Sequence, residues 1–161
     1  MTKKLLPLLL LFVSLTASAL AWQSAQWNLS FTEPKGWTEH TSDNMVMFLD
    51  PNNKGGIGVK VEPSNGTELT AESIDAAAPY VGPMFEKLYK AKLLGLRAVT
   101  VNGKNMMKMS LIANQGEKIQ ITGYVATYKG KMYTFVLSSD QANHSSLMPY
   151  LDAVVNSAKF L

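Results

Sequence analysis

The sequence contains no cysteine, and this absence excludes several kinds of chemistry at once. Disulfides, thiol nucleophiles, thiolate-bound zinc, iron–sulfur clusters and a lipid anchor on cysteine all need that residue. Only two histidines are present, His40 and His144, so a three-histidine metal site is excluded as well. The 161 residues are expected to form one domain, because two halves would each bury too little apolar surface to fold.

The beginning of the chain has the composition of a cleavable secretory signal. Two lysines precede an apolar stretch, Leu5 to Val13, and small residues follow as far as Ala19-Leu20-Ala21. The apolar stretch is shorter than the roughly 20 residues that span a bilayer, so a permanent anchor is disfavoured. We therefore expect a signal peptide at residues 1–21, cleaved after Ala21 or alternatively after Ala19, and a single exported domain at residues 22–161.

The positive charge of the chain belongs largely to this leader. Removal of Lys3 and Lys4 lowers the formal charge from +3 to +1, and no cluster of basic residues is left. Nucleic-acid binding needs such a cluster, so no nucleic-acid partner is expected. An exported chain without disulfides fits a bacterial periplasm better than a small eukaryotic secreted domain. The predicted location is therefore the periplasm, without a stable membrane span after cleavage.

The first half of the mature chain predicts three strands and a helical region. The strands are bounded by turn residues and cover Asn28 to Phe31, Met45 to Leu49 and Gly56 to Val61. Between Thr70 and Leu94 the apolar residues recur every three or four positions, which is typical of a helix. Because Pro79, Gly82 and Pro83 interrupt the pattern, we expect a break there and a second helix over about Met84 to Leu93.

The second half predicts four antiparallel strands and a closing helix. The four strands cover Arg97 to Val101, Asn105 to Ala113, Lys118 to Thr127 and Lys131 to Ser138. Asn102-Gly103 is a strong signal for a two-residue hairpin turn. Ser145 and Ser146 are predicted N-caps of the last helix. The fold class is therefore α+β, an antiparallel sheet packed with helices in the order βββ-α-ββββ-α.

The residues give little support to catalysis. His144 follows Ser139, Asp140 and Asn143 in a polar stretch, but these residue types are also expected for turns and helix capping. The sequence has no Gly-x-Ser-x-Gly, no His-Glu-x-x-His and no phosphate-binding glycine loop. We therefore expect a protein that is not an enzyme and carries no cofactor.

Methionine offers a second kind of chemistry, because thioethers in an exported protein can bind Cu(I). Met45 and Met47 share one strand face, and His40 precedes them closely; these three are the candidate metal ligands. Met107 and Met109 form a similar pair, and Trp37 lies near the first. The alternative is that such alternating methionines fill a core.

Three segments near the start of the mature chain resemble the PsbP/DcrB-like group of domains. These are WNLSFTEPKGW, MVMFLDPNN and GIGVKVEP. The end of the chain is similar to the close of the same group, at Tyr128, Lys129, Gly130, Tyr133, Ser157 and Phe160. The resemblance implies a small α/β sandwich over the mature chain and a role as a non-enzymatic binder or accessory protein.

Two functional hypotheses follow. The first is a periplasmic binding or accessory protein that contacts an envelope protein, for example as an immunity-type or assembly factor. Its partner-contact loops are predicted around Asp50, Asn53, Lys54, Asp140, Asn143 and His144. The second is a carrier of a small ligand or of soft metal such as copper, which uses the methionine, histidine and tryptophan residues.

Overall fold

The strands form two antiparallel sheets in the computed structural model, which describes residues 20–115 and 117–161. The small sheet has the order β1-β2-β10, and the large one has the order β3-β4-β5-β9-β8-β7-β6. The elements in chain order are β1 Ala21–Ser24, β2 Leu29–Thr32, β3 Thr38–Thr41, β4 Met45–Leu49, β5 Gly55–Pro63, α1 Ala71–Tyr89, β6 Ala91–Val101, β7 Lys104–Gln115, β8 Glu117–Tyr128, β9 Lys131–Asp140, α2 His144–Ser157 and β10 Lys159–Phe160.

The predicted α+β class and the four-stranded meander are confirmed. Strands β6 to β9 are neighbours in the order of the chain. Asn102 and Gly103 both have positive φ, 49° and 74°, as a type I′ turn requires, and Lys129-Gly130 repeats the geometry at 47° and 74°. Residue 116, between the second and third strands of the meander, and residues 1–19 of the predicted leader lie outside the described residues.

The two parts of the large sheet are joined in its centre by a long-range strand pairing. Strand β5 runs antiparallel to β9, from Gly55 opposite Ser139 to Pro63 opposite Lys131. This pairing joins the β3-β4-β5 hairpins to the meander, so that seven strands share two continuous faces.

The first half of the chain holds two more strands than predicted. Strand β1 pairs with β2, and β3 pairs with β4. Each is only four residues long, which is too short for a clear pattern of apolar and polar residues in the sequence, and every residue of β3 is exposed.

The predicted helix break is wrong. Residues Ala71–Tyr89 form one helix that contains Pro79 and Pro83 in its interior. The predicted second helix was also placed too far along the chain, because Leu93 belongs to β6. The helix begins with a capping box in which Thr70 and Ser73 bond each other's backbone N–H, so its start is well defined.

The main core lies between the large sheet, α2 and the small sheet. Helix α2 contributes the buried Leu147, Leu151, Val154 and Val155. From β9 the fully buried Phe135 and Leu137 face them. The small sheet closes the same core with Leu29 and Phe31.

Helix α2 begins differently from the prediction. Its N-cap is Asn143, and neither Ser145 nor Ser146 caps it through a side chain. The Ser146 hydroxyl instead donates to the Asn143 carbonyl at 2.7 Å. The Asp140 carboxylate accepts the backbone N–H of Asn143 at 2.7 Å, one turn before the helix.

Candidate interaction surface

The two faces of the seven-stranded sheet are covered to very different extents. Helix α2 and the small sheet cover one face. On the other face α1 packs on β6 and on the adjoining part of β7. Among the residues that the structure describes, α1 does not extend over β4, β5 and β9 on that side, and on β8 only Ile121 joins the cluster under α1. We call this area, together with Met107 on the neighbouring β7, the open face; its half-buried apolar side chains include those of Met45, Met47, Leu49, Met107, Val125, Met132 and Val136.

A single cross-strand row shows how the open face is shaped. Met47 is opposite Gly58, Gly58 is opposite Val136, and Val136 is opposite Gly123. A Cβ on Gly58 would lie 3.3 Å from a methyl carbon of Val136, and a Cβ on Gly123 would lie 3.9 Å from the other. The valine therefore covers both glycines. Because neither glycine has a side chain, no other side chain projects from the centre of this row.

The apolar side chains of the open face do not belong to the protein's cores. The main core lies on the α2 side, and a small second cluster under α1 consists of Ala91, Leu111 and Ala113 with Phe85, Met109 and Ile121 packed on it. Met47, Met132 and Val125 are part of neither cluster. Methionine adapts its shape to different partners and is common on binding surfaces that accept more than one partner.

Polar groups mark the border of the open face near Thr127 and Glu62. The chain crosses there between β5 and α1, held by a bond from the Leu69 N–H to the Thr127 hydroxyl at 2.8 Å. The Nζ of Lys60 lies 2.6 Å from a carboxylate oxygen of Glu62, so these charges compensate each other. The surface is thus apolar in its centre and polar at this rim, as protein interfaces are.

Helix α1 forms the side wall of the open face and is itself weakly buried. Among its described side chains only Ile74 is a buried hydrophobic, whereas Tyr80 is 78% exposed and Met84 is 47% exposed. Gly82 allows the helix to approach β6, since a Cβ there would lie 3.0 Å from a methyl carbon of Leu93. Helix α1 therefore exposes two large apolar side chains of its own.

The first predicted contact loop, between β4 and β5, is a compact turn. The Asp50 carboxylate accepts the backbone N–H groups of Asn52 at 3.0 Å and Lys54 at 3.1 Å. Asp50 is 7% exposed, while Asn53, with φ 56°, and Lys54 are exposed at the tip. Asp50 therefore shapes the loop, and only the tip residues face solvent.

The second predicted contact loop lies beside the first. Gly55 pairs with Ser139, and a Cβ on Gly55 would lie only 2.7 Å from the Ser138 carbonyl oxygen, so the strands that carry the loops are in close contact. Hydrogen bonds from the side chain and then the backbone N–H of Asn143 hold the pKa of the Asp140 carboxyl below its usual range. Asp140 and Asn143 thus fix each other before α2.

His144 is 2% exposed and therefore does not present its ring to a partner. Its Nε2 lies 2.8 Å from the Thr122 hydroxyl, and its Nδ1 lies 2.8 Å from the Ser139 hydroxyl. Because Ser139 donates its own proton to the Asp140 carbonyl, the network assigns the proton to Nδ1 and makes Nε2 an acceptor. Burial lowers the pKa of the imidazole.

This arrangement differs from a catalytic triad. In a triad a carboxylate orients the histidine, and the histidine contacts an accessible nucleophile. Here a hydroxyl occupies the orienting position, and the Asp140 carboxylate bonds Asn143 instead. The His144 network is accordingly a buried connection between α2, β8 and β9.

A second connection between the sheet and α2, which is partly buried, was not foreseen from the sequence. The Tyr124 hydroxyl donates to the Asp152 carboxylate at 2.8 Å and so joins β8 to α2. Burial and this hydrogen bond raise the pKa of Tyr124. The sequence around Tyr124 shows only the alternation of a strand. It does not predict a hydrogen bond to Asp152, because that residue is 28 positions away in the chain.

The candidate metal ligands occupy one corner of the open face. His40 is directly opposite Met47, and Met45 is two residues further along the same strand. Met107 is on the same sheet face, but three strands separate it from β4. Trp37 packs on the other side, where its ring centroid is 5.2 Å from that of Tyr150 in α2.

Two further observations concern metal sites and membranes. Within residues 20–115 and 117–161 no three His, Cys, Asp or Glu side chains are grouped so that they could hold a metal ion. In the same part of the chain no helix combines the length and the apolar character that crossing a bilayer requires.

No family model matches the chain, and no curated protein matches it in sequence. Its fold, in contrast, is similar to several solved structures. The solution structure of cyanobacterial PsbP (CyanoP) from Synechocystis sp. PCC 6803 has a TM-score of 0.67 and 16% identity, over 88% of this chain and 92% of that one. The Ran-binding protein Mog1p from Saccharomyces cerevisiae has a TM-score of 0.60 and 9% identity, over 88% and 94%.

A third similar structure is LpqN of Mycobacterium tuberculosis, described as involved in cell envelope biogenesis. It has a TM-score of 0.57 and 11% identity, over 81% of this chain and 82% of that one. The chain therefore has a PsbP-like fold, as its sequence predicted. None of these three structures is a DcrB protein, so that part of the resemblance stays a prediction.

Proposed function

We propose that this chain is an exported accessory protein that binds a protein of the cell envelope through its open face and catalyses no reaction. The observation that carries the proposal is the uncovered half of the sheet, where apolar side chains lie outside both cores. The partner is expected to present a matching apolar segment, since the centre of the open face is apolar and the charges of Lys60 and Glu62 compensate each other.

The similar structures support the class of this function. One of them is a Ran-binding protein and another is involved in cell envelope biogenesis. The proposed periplasmic location rests on the leader-like residues 1–21. Within the class, an assembly factor and an immunity-type protein would use the same surface and would differ only in the partner.

The predicted loop tips extend the proposed interface. Asn53 and Lys54 are exposed at the end of the hairpin that also carries Met47 on the open face. Asp50, Asp140, Asn143 and His144 are proposed to hold the two loops in shape. Variants of this second group are therefore expected to affect binding through the loop conformation.

A charge placed in the centre of the open face tests the proposal. Val136→Glu introduces a carboxylate beside Gly58 and Gly123, which should lower partner capture from an envelope extract at least tenfold. The matched control is Ala153→Glu, an equally new carboxylate on the exposed side of α2. Circular dichroism verifies that both variants are folded.

A photo-reactive residue at position 134, next to Val136 on β9, maps the contact directly. Thr134 faces the open face from its position opposite Val125 and Lys60. The same protein should be crosslinked from position 134 and not from position 153. Equal capture by both glutamate variants, or crosslinking only from position 153, would show that the open face is not the binding surface.

A further inference from the structure

The hairpin of β3 and β4 brings three soft or borderline donor atoms to one corner of the open face. Met45 and Met47 alternate on β4, so their Cα atoms are about 7 Å apart on the same side. His40 is opposite Met47, and directly opposed residues have Cβ atoms about 4.5–5.5 Å apart. The long methionine side chains let two sulfur atoms and one imidazole nitrogen meet above the hairpin.

The register of the hairpin is firmly fixed. The backbone N–H of Ser42 donates to the Met45 carbonyl at 2.8 Å and closes a short turn. Val46 and Phe48, which alternate with the two methionines, are 0% and 1% exposed in the main core. A slip by one residue would place these two in solvent, so the methionines are held outward.

The three donors have no evident structural task. His40 is exposed, and Met45 and Met47 are half-buried outside both core clusters. The charged group opposite Met45 is Lys60, whose ammonium is paired with Glu62. Glu39 and Thr41 alternate with His40 and therefore face the other side of the sheet.

The chemistry of this donor set selects the ion. Thioethers are soft ligands that favour Cu(I), imidazole also binds copper, and Mg²⁺ or Ca²⁺ would require oxygen donors. We propose that His40, Met45 and Met47 form a three-coordinate site for Cu(I), which Ag(I) can also occupy. The site needs no partner protein and is independent of the function proposed above.

Titration with Cu(I) alone, under anaerobic conditions and against a chromogenic chelator, tests the site on the purified exported protein. One equivalent should bind, and Met45→Leu/Met47→Leu should weaken the binding at least 100-fold. Leucine keeps the volume and apolar character of methionine, so the thermal midpoint of the metal-free variant should stay within a few degrees. Met107→Leu/Met132→Leu is the matched control on the same face and should bind like the wild type.

Methionine methyl resonances provide a readout at the ligands themselves. On addition of Ag(I), the signals of Met45 and Met47 should shift together and saturate at one equivalent, and His40→Gln should weaken this response. The proposal is overturned if the wild type does not compete with the chelator, or if the control pair loses as much affinity as the Met45/Met47 pair. Because no partner is present, neither outcome bears on the role of the open face in protein binding.

Discussion

The two faces of the seven-stranded sheet differ in how deeply their side chains are buried, although adjacent residues of the same strands belong to both faces. On β9, Phe135 is completely buried under α2, whereas Val136, the next residue, lies on the open face outside both cores. Helix α2 buries five residues. Helix α1 is five residues longer, but its described side chains include a single buried hydrophobic, Ile74. One face therefore carries the main core, whereas the apolar side chains of the open face lie outside both core clusters.

Polar contacts repeat this difference between the helices. Helix α2 is joined to the sheet by Tyr124–Asp152 and by the His144 network. On the α1 side the corresponding bond, from Leu69 to Thr127, lies in the segment before the helix. We therefore expect α1 to open locally at a lower free energy than α2.

The largest expected change in stability comes from a comparison of two adjacent residues of β9. Phe135→Ala should lower the free energy of unfolding by about 3–5 kcal/mol, because it leaves a cavity in the main core. Val136→Ala should cost less than about 1 kcal/mol, since its methyl groups lie on a half-exposed surface. Urea denaturation measures both. Similar losses for the two variants would mean that the open face contributes to the core after all.

An intermediate effect is expected at the His144 network. His144→Gln should cost about 1–3 kcal/mol at pH 7.5, because it disturbs hydrogen bonds to two buried hydroxyls. Burial holds the pKa of His144 in the folded protein below its ordinary value of 6.5. The neutral imidazole therefore contributes its full stabilisation of the folded state above pH 6.5, and this contribution is lost as the pH falls through the lowered pKa.

Unfolding free energies at pH 7.5, 6.5 and 5.5 measure this dependence. The wild type should lose stability over the range below pH 6.5, and His144→Gln should lose less. Identical slopes for the wild type and His144→Gln would contradict a burial penalty at His144.

The smallest effect is expected in α1 and has the opposite sign. Pro79 removes a backbone N–H from the helix interior, so Pro79→Ala should stabilise α1, but by no more than about 1 kcal/mol because the helix already accommodates the proline and alanine gives the unfolded chain more freedom. Hydrogen exchange should show greater protection of α1 amides and no change in α2. Ala76→Gly, at an exposed position of the same helix, should lower the protection by a similar amount. Uniform changes in both helices would show that α1 opens only together with the whole domain.

Much of the fold was predictable because its signals are local. Asn102-Gly103 determines a hairpin by its own backbone preference, and the alternation of Met107, Met109 and Leu111 marks one face of a long strand. Strand β3 had no such signal, because it is short, exposed and defined by its pairing with β4. At Pro79 and Pro83 the local rule failed, since the helix continues through both prolines.

The candidate surface was less predictable than the fold. The sequence shows that Met45 and Met47 share a face, but whether a helix covers that face depends on where α1 packs. The loops around Asp50 and His144 are predicted as contact sites because loops at the ends of a sandwich are displayed to solvent. Both residues are buried, because short polar side chains also satisfy the backbone and hydroxyl groups of a turn.

The central pairing of β5 with β9 also has a kinetic consequence. The paired residues, such as Gly55 and Ser139, are far apart in sequence. The hairpins on either side of this pairing, in contrast, join strands that follow each other in the chain. Long-range contacts form slowly because a large loop must close first, so we expect the two halves to form early and to join last. Met47 and Gly58 lie on one half, and Val136 and Gly123 lie on the other. We therefore expect the centre of the open face to be completed only in the final step of folding, so that a partly folded chain lacks this apolar surface.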